Sequence, residues 1–181
     1  MNSSRNDLLL LAGKIITMLL QGFLAFGAIV LVVALPFVTF FSGDLADGFS
    51  DGSGIPVADI PALPLAGLLL LGLTILAALF VFFGKLRAII DTVGQGDPFA
   101  PANAERLNLM AWLLLATQIL FLPTAGLGLL VAKWVDEIEH QKITIDAGFD
   151  LTGLLMVLIL FILARVFRHG AAMREDLEGT V

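Results

Sequence analysis

The chain of 181 residues contains no cysteine. That excludes a disulfide framework, a thiolate metal site and a thiol nucleophile. Charge is scarce too, with 14% of residues being Asp, Glu, Lys or Arg. The two histidines, His140 and His169, fall outside the long apolar runs, so no pair is placed to ligate a b-type haem. The middles of those runs hold no Asp, Glu, His, Lys or Arg. Proton-coupled carriers, ion pumps and voltage sensors keep ionisable groups at depth, so the sequence speaks against them. It also lacks a Gly-x-x-x-x-Gly-Lys-Ser/Thr loop, a His-Glu-x-x-His pair and a Ser-His-Asp set. The expectation is a non-enzymatic protein with no catalytic residues, cofactor or metal.

What the chain has is apolar length. It is 59% hydrophobic, with a mean hydropathy of +0.99, more apolar surface than a water-soluble domain of this size can hide. Four apolar runs cover about Ile15–Phe41, Leu63–Phe83, Leu107–Ala132 and Leu151–Phe167. A hydrocarbon core of about 30 Å takes about 20 helical residues. Three runs reach that length, and the fourth falls short before Arg165, whose long stem can snorkel its charge to the interface. The first run is too long for the apolar region of a signal peptide. The pattern predicts an all-α integral membrane protein, one membrane domain over 1–181, with four transmembrane helices in an antiparallel bundle and cytosolic helical extensions.

The basic residues orient the spans. Arg5 and Lys14 precede the first, Lys85, Arg87 and Arg106 lie between the second and third, and Arg165, Arg168 and Arg174 follow the 151–164 stretch. Only Lys133 and Lys142 fall on the other side. By the positive-inside rule both termini, the 84–106 loop and the 168–181 tail are cytosolic. The outer loops, 42–62 and 133–150, then hold nine acids and two bases, a net of −7, against +1 inside. The first outer loop mixes Gly, Asp, Ser and Pro. It lacks the Asp-x-Asp spacing and twelfth-position Glu of a calcium loop, so it reads as a soluble turn. In the second, Trp134 suits the membrane edge, Ile143-Thr144-Ile145 suits a short extended segment, and Asp150 is placed to cap the last helix.

Polar residues within the runs are few: Gln21, Thr74, Thr117, Gln118 and Thr124. Gln21 and Gln118 suit hydrogen bonds between helices, or the lining of a small polar cavity. Gly22, Gly27, Gly67, Gly72, Gly126 and Gly128 would let backbones approach, within the chain or in a homo-oligomer. Pro36 and Pro123, near the outer ends of their spans, would kink or end the helix.

The cytosolic side carries the most specific pattern. Leu86, Ile89, Ile90 and Val93 continue the second span at helical spacing. Gly94 offers a left-handed cap, Gln95-Gly96-Asp97-Pro98-Phe99 a turn, and Pro101 a good first helical position. Two roles are open to Gly96-Asp97-Pro98-Phe99: a helix-to-helix turn anchored by Phe99, or a docking surface. Gly96, Pro98, Phe99, Asn103, Arg106, Arg165, Arg168 and Leu177 are the candidate docking residues. Arg165, Arg168 and His169 share a helix face that suits anionic lipid or an acidic partner. A cytosolic net charge of +1 argues against direct nucleic-acid binding.

Gly96-Asp97-Pro98-Phe99, Asn103, Arg106-Leu107 and the tail Leu177-Glu178-Gly179-Thr180-Val181 resemble a bacterial family of four-span membrane proteins, domain of unknown function 2975. The chain departs from the family's Pro-Glu-Asn helix start, with Pro101-Ala102-Asn103 in its place. Members are often encoded beside a small Xre-type helix-turn-helix regulator. The resemblance implies a cytoplasmic-membrane protein that senses or regulates by binding or tethering such a regulator. A small transporter or lipid-handling component and a structural assembly subunit are the alternatives.

Overall fold

The computed structural model describes residues 3–53, 61–139 and 150–178. They form five helices and, among the described residues, no strand. These are α1 (Ser3–Phe40), α2 (Ser42–Ser53), α3 (Ala62–Gly94), α4 (Pro101–Glu139) and α5 (Leu151–Glu178). All but α2 are long and apolar enough to cross a bilayer, and the protein is a multi-pass membrane protein. Large apolar side chains on their outer faces, such as Phe23, Phe26 and Ile29, are exposed. A soluble protein avoids apolar surface on that scale, whereas lipid accepts it.

The chain divides into two compact units, residues 1–25, 77–118 and 150–181 in one and 26–76 and 119–149 in the other. In the first unit, Leu107, Met110, Ala111, Leu160 and Ala164 make a buried cluster. Phe82, Leu86, Ile89, Leu114, Phe161 and Phe167 pack around it. Small residues let the helices close: Ala104, Ala111 and Ala164 are almost fully covered. Trp112 meets Phe161 edge to face, with centroids 5.4 Å apart. The antiparallel register of α1 and α3 shows in the side chains nearest their glycines, Ile90 at Gly13 and Gln21 at Gly84. The second unit repeats it, with Leu76 at Gly27 and Leu31 at Gly72, and Leu127 of α4 closes on Gly67. Gly22 and Gly126, by contrast, face open space.

Four expectations change. The segment after Phe41, read as a turn, is helical from Ser42 to Ser53. Its glycines lower helix propensity, but Asp44 in the first turn complements the positive end of the helix dipole. Pro36 and Pro123 do not end their helices, which continue to Phe40 and Glu139. The left-handed residue after α3 is Gly96, with φ 83°, while Gly94 is the last residue of the helix. The fourth change concerns the depth of Asp150, which caps α5 as expected, its carbonyl accepting from the Leu154 N–H and its Oδ1 from the Thr152 N–H. The Gln118 amide also reaches Asp150, 3.4 Å from its carbonyl and from Oδ2. Gln118 lies twelve residues from Arg106 and fifteen from Lys133, the nearest charges along α4. At 1.5 Å per residue those separations are about 18 and 22 Å. The Asp150 carboxyl therefore meets the middle of an apolar run, not its edge. His140 and Ile143–Ile145 lie outside the described residues.

Candidate functional site

The end of the helices that carries Lys14, Lys85, Arg87, Arg106, Arg165, Arg168 and Arg174 is also where polar side chains converge. Its organiser is the turn between α3 and α4. The Asp97 N–H donates to the Thr92 carbonyl and the Gly96 N–H to the Val93 carbonyl, 3.0 and 3.1 Å, a Schellman cap with Gly96 at its left-handed position. Pro98 then occupies the second position of a turn closed by the Ala100 N–H and the Asp97 carbonyl. Pro101 opens α4, where a missing N–H costs nothing.

Asn103 ties this turn to both helices and is fully buried. Its Nδ2 donates to the Pro98 carbonyl at 3.0 Å and to Thr92 Oγ1 at 2.8 Å. The Thr92 hydroxyl donates to the Ile89 carbonyl, 2.8 Å away, which leaves its lone pair for Asn103. Arg106 completes the set, its guanidinium donating to Asn103 Oδ1 at 2.8 Å and to the Ala88 carbonyl at 3.1 Å. No buried side-chain polar atom among the described residues is left unpaired. Asn103 and Arg106 therefore shape the surface from beneath, while Phe99, Arg165 and Arg168 stand on it.

Three cross-links hold the neighbouring elements to this turn. Lys14 of α1 pairs with Asp91 of α3 at 2.8 Å. Asp91 lies beyond the apolar run that ends at Phe83. The hydrogen bond from Lys14 holds its carboxyl below the ordinary range, the charges of Lys14, Arg87 and Arg106 act in the same sense, and desolvation opposes them. Arg174 of α5 pairs with Asp97 in the turn. Phe99 lies against Phe167, centroids 5.4 Å apart, and against Gly170, where an added Cβ would stand 2.7 Å from the ring. An open groove of about 840 Å³ runs beside this contact, lined among others by Phe99, Arg165, Val166, Arg168, His169 and Met173. Leu177 falls within α5, but its side chain lies outside the described ones.

A profile of the family described as Protein of unknown function (DUF2975) matches residues 52–181. The chain belongs to that family. No curated protein and no solved structure matches it. In this DUF2975 protein the matched span takes in the α3–α4 turn, Asn103, Arg106 and all of α5, the elements that build the groove.

The two glutamines do not meet. The Gln21 amide of α1 donates to the Phe80 carbonyl of α3 at 3.2 Å, and Gln118 binds Asp150. The threonines Thr74, Thr117 and Thr124 return their hydroxyls to carbonyls of their own helices. Sequence reasoning missed the receiving glycines Gly84, Gly153 and Gly170. Nothing local marks them, since each matters through a side chain from a distant element. The Asp97–Arg174 pair was equally hidden by a separation of 77 residues.

Proposed function

We propose that this protein is a non-enzymatic regulatory partner in the bacterial cytoplasmic membrane, with both termini in the cytosol. Its basic end binds or tethers a cytosolic helix-turn-helix regulator of the Xre type. The observation that carries the reading is the cross-linked basic end. Crossing a bilayer asks for about 20 residues per helix, yet α3 and α5 run on well past their apolar stretches. Four separate contacts fix those extensions: Asn103–Thr92, Lys14–Asp91, Asp97–Arg174 and Phe99–Gly170. A pre-ordered surface lowers the entropy lost when a partner docks. Affinity isolation of tagged protein from mildly solubilised membranes, followed by mass spectrometry, tests this. Recovery of a small helix-turn-helix protein, reduced in a Phe99→Ala variant, supports the reading. Its absence from the native sample sinks it.

A second reading, a small transporter, has one observation in its favour. Asp150 and Gln118 meet in the middle of the α4 apolar run, and ionisable groups at depth mark transport paths. Substrate-dependent flux in liposomes, lost in Gln118→Leu, would move this reading to the front.

A further inference from the structure

We propose that the groove beside Phe99 receives an acidic amphipathic helix from a cytosolic partner. The proposal rests on the reading of the basic end as a docking platform and names the chemistry of what docks.

Arg165, Arg168, His169, Ala172 and Met173 recur at intervals of three and four and so share one face of α5. Arg165 and Arg168 make no ion pair among the described residues, whose only two are Lys14–Asp91 and Arg174–Asp97. Beside these cations stand apolar side chains left about half exposed: Val166 is 53% exposed, Met173 52% and Phe99 42%. The groove thus asks for carboxylates and apolar side chains at once, within a few ångströms of each other. A helix with acids along the edge of an apolar stripe supplies both, and helix-in-groove docking is a recurrent mode.

The order of groups along α5 decides against the other occupants. Its uncharged run extends from Leu151 to Ala164 and the first cation is Arg165. Met173 lies eight residues further from that run, about 12 Å along the helix. A phospholipid with its phosphate on Arg165 and Arg168 directs its chains back toward the run, leaving Met173 and Phe99 bare. A second copy in the same membrane orientation brings the same cations to the same depth, like charge against like. Nucleic acid offers nothing to the apolar side chains.

The test is photo-cross-linking in cells, with a benzophenone amino acid replacing Ala172 in the full-length chain. The same group at Leu158, about four turns nearer the membrane on that face, is the lipid-facing control. The expected result is a peptide adduct at 172 whose sequence is acidic with apolar residues at helical spacing. Its yield should fall at least tenfold in the Arg165→Gln/Arg168→Gln variant, whose thermal unfolding should match the parent because neither arginine makes an ion pair among the described residues. A lipid adduct, an adduct to a second copy, a peptide without that pattern, or no adduct while Leu158 labels lipid each overturns the proposal. A suitable peptide from a protein without a helix-turn-helix would sustain the groove assignment and sink the regulator reading.

Discussion

Replacing Asn103 by Ala tests whether the α3–α4 turn is held from beneath. The change removes two neutral hydrogen bonds, to the Pro98 carbonyl and Thr92, and one charge-assisted bond from Arg106. Neutral bonds contribute about 1 kcal/mol each, and those to a charged group about 1.5–3 kcal/mol. Arg106 keeps the Ala88 carbonyl, which offsets part of the loss. The expected destabilisation is about 3 kcal/mol. At about 2–4 °C per kcal/mol for a chain of this size, Tm falls by about 6–12 °C. Thermal unfolding in mild detergent, followed by Trp fluorescence, reads it. Asn103→Asp keeps the acceptor for Arg106 but loses both donors and falls between parent and Ala variant. A shift below about 2 °C for Asn103→Ala would mean that Asn103 does not hold the turn, because a buried amide with three partners cannot be that cheap to lose.

Gly170→Ala forces the Phe99 ring aside and costs about 1–3 kcal/mol; in a Phe99→Ala background the same change is nearly silent, which a double-mutant cycle measures. Gly67→Ala sets a Cβ 2.7 Å from Leu127 Cδ1, the tip of a mobile side chain, so unfolding should shift by only about 1 kcal/mol. The Asp91 carboxyl titrates lower in the folded protein than unfolded. Its stabilisation is therefore present above the unfolded value of about 3.9 and lost as pH falls through the lower folded value; Lys14→Gln flattens that part of a Tm-against-pH curve. Because the chain lacks cysteine, a single Thr152→Cys reports depth cleanly. A label there should be quenched most by nitroxides placed near the bilayer centre, and quenching at headgroup level would contradict the Gln118–Asp150 contact.

The helices were legible because apolar runs of bilayer length leave little choice, and the Pro101 start and Asp150 cap because such signals are local. The α3 cap was misplaced by two residues: Gly94 and Gly96 are equivalent by type, and only the backbone bonds from Gln95 to Asp97 choose between them. The α2 segment was misread because three glycines outweighed an acidic first turn. The Gly96-Asp97-Pro98-Phe99 stretch was visible as special, but not its reason. Pro98 needs the buried Asn103 five residues on, while Phe99 needs Gly170 and Asp97 needs Arg174, and no periodicity links those two distant pairs. The depth of Asp150 was hidden in the same way, since only its contact with Gln118 moves it from a loop into an apolar run.

We propose that the basic end of this membrane protein holds a cytosolic DNA-binding protein. Cell fractionation, with quantitative proteomics of membrane and soluble fractions in cells with and without the chain, tests it most directly. One helix-turn-helix protein should then leave the membrane fraction when the chain is deleted and return with the native sequence. It should return less with Arg165→Gln/Arg168→Gln. An unchanged distribution of every helix-turn-helix protein would contradict it.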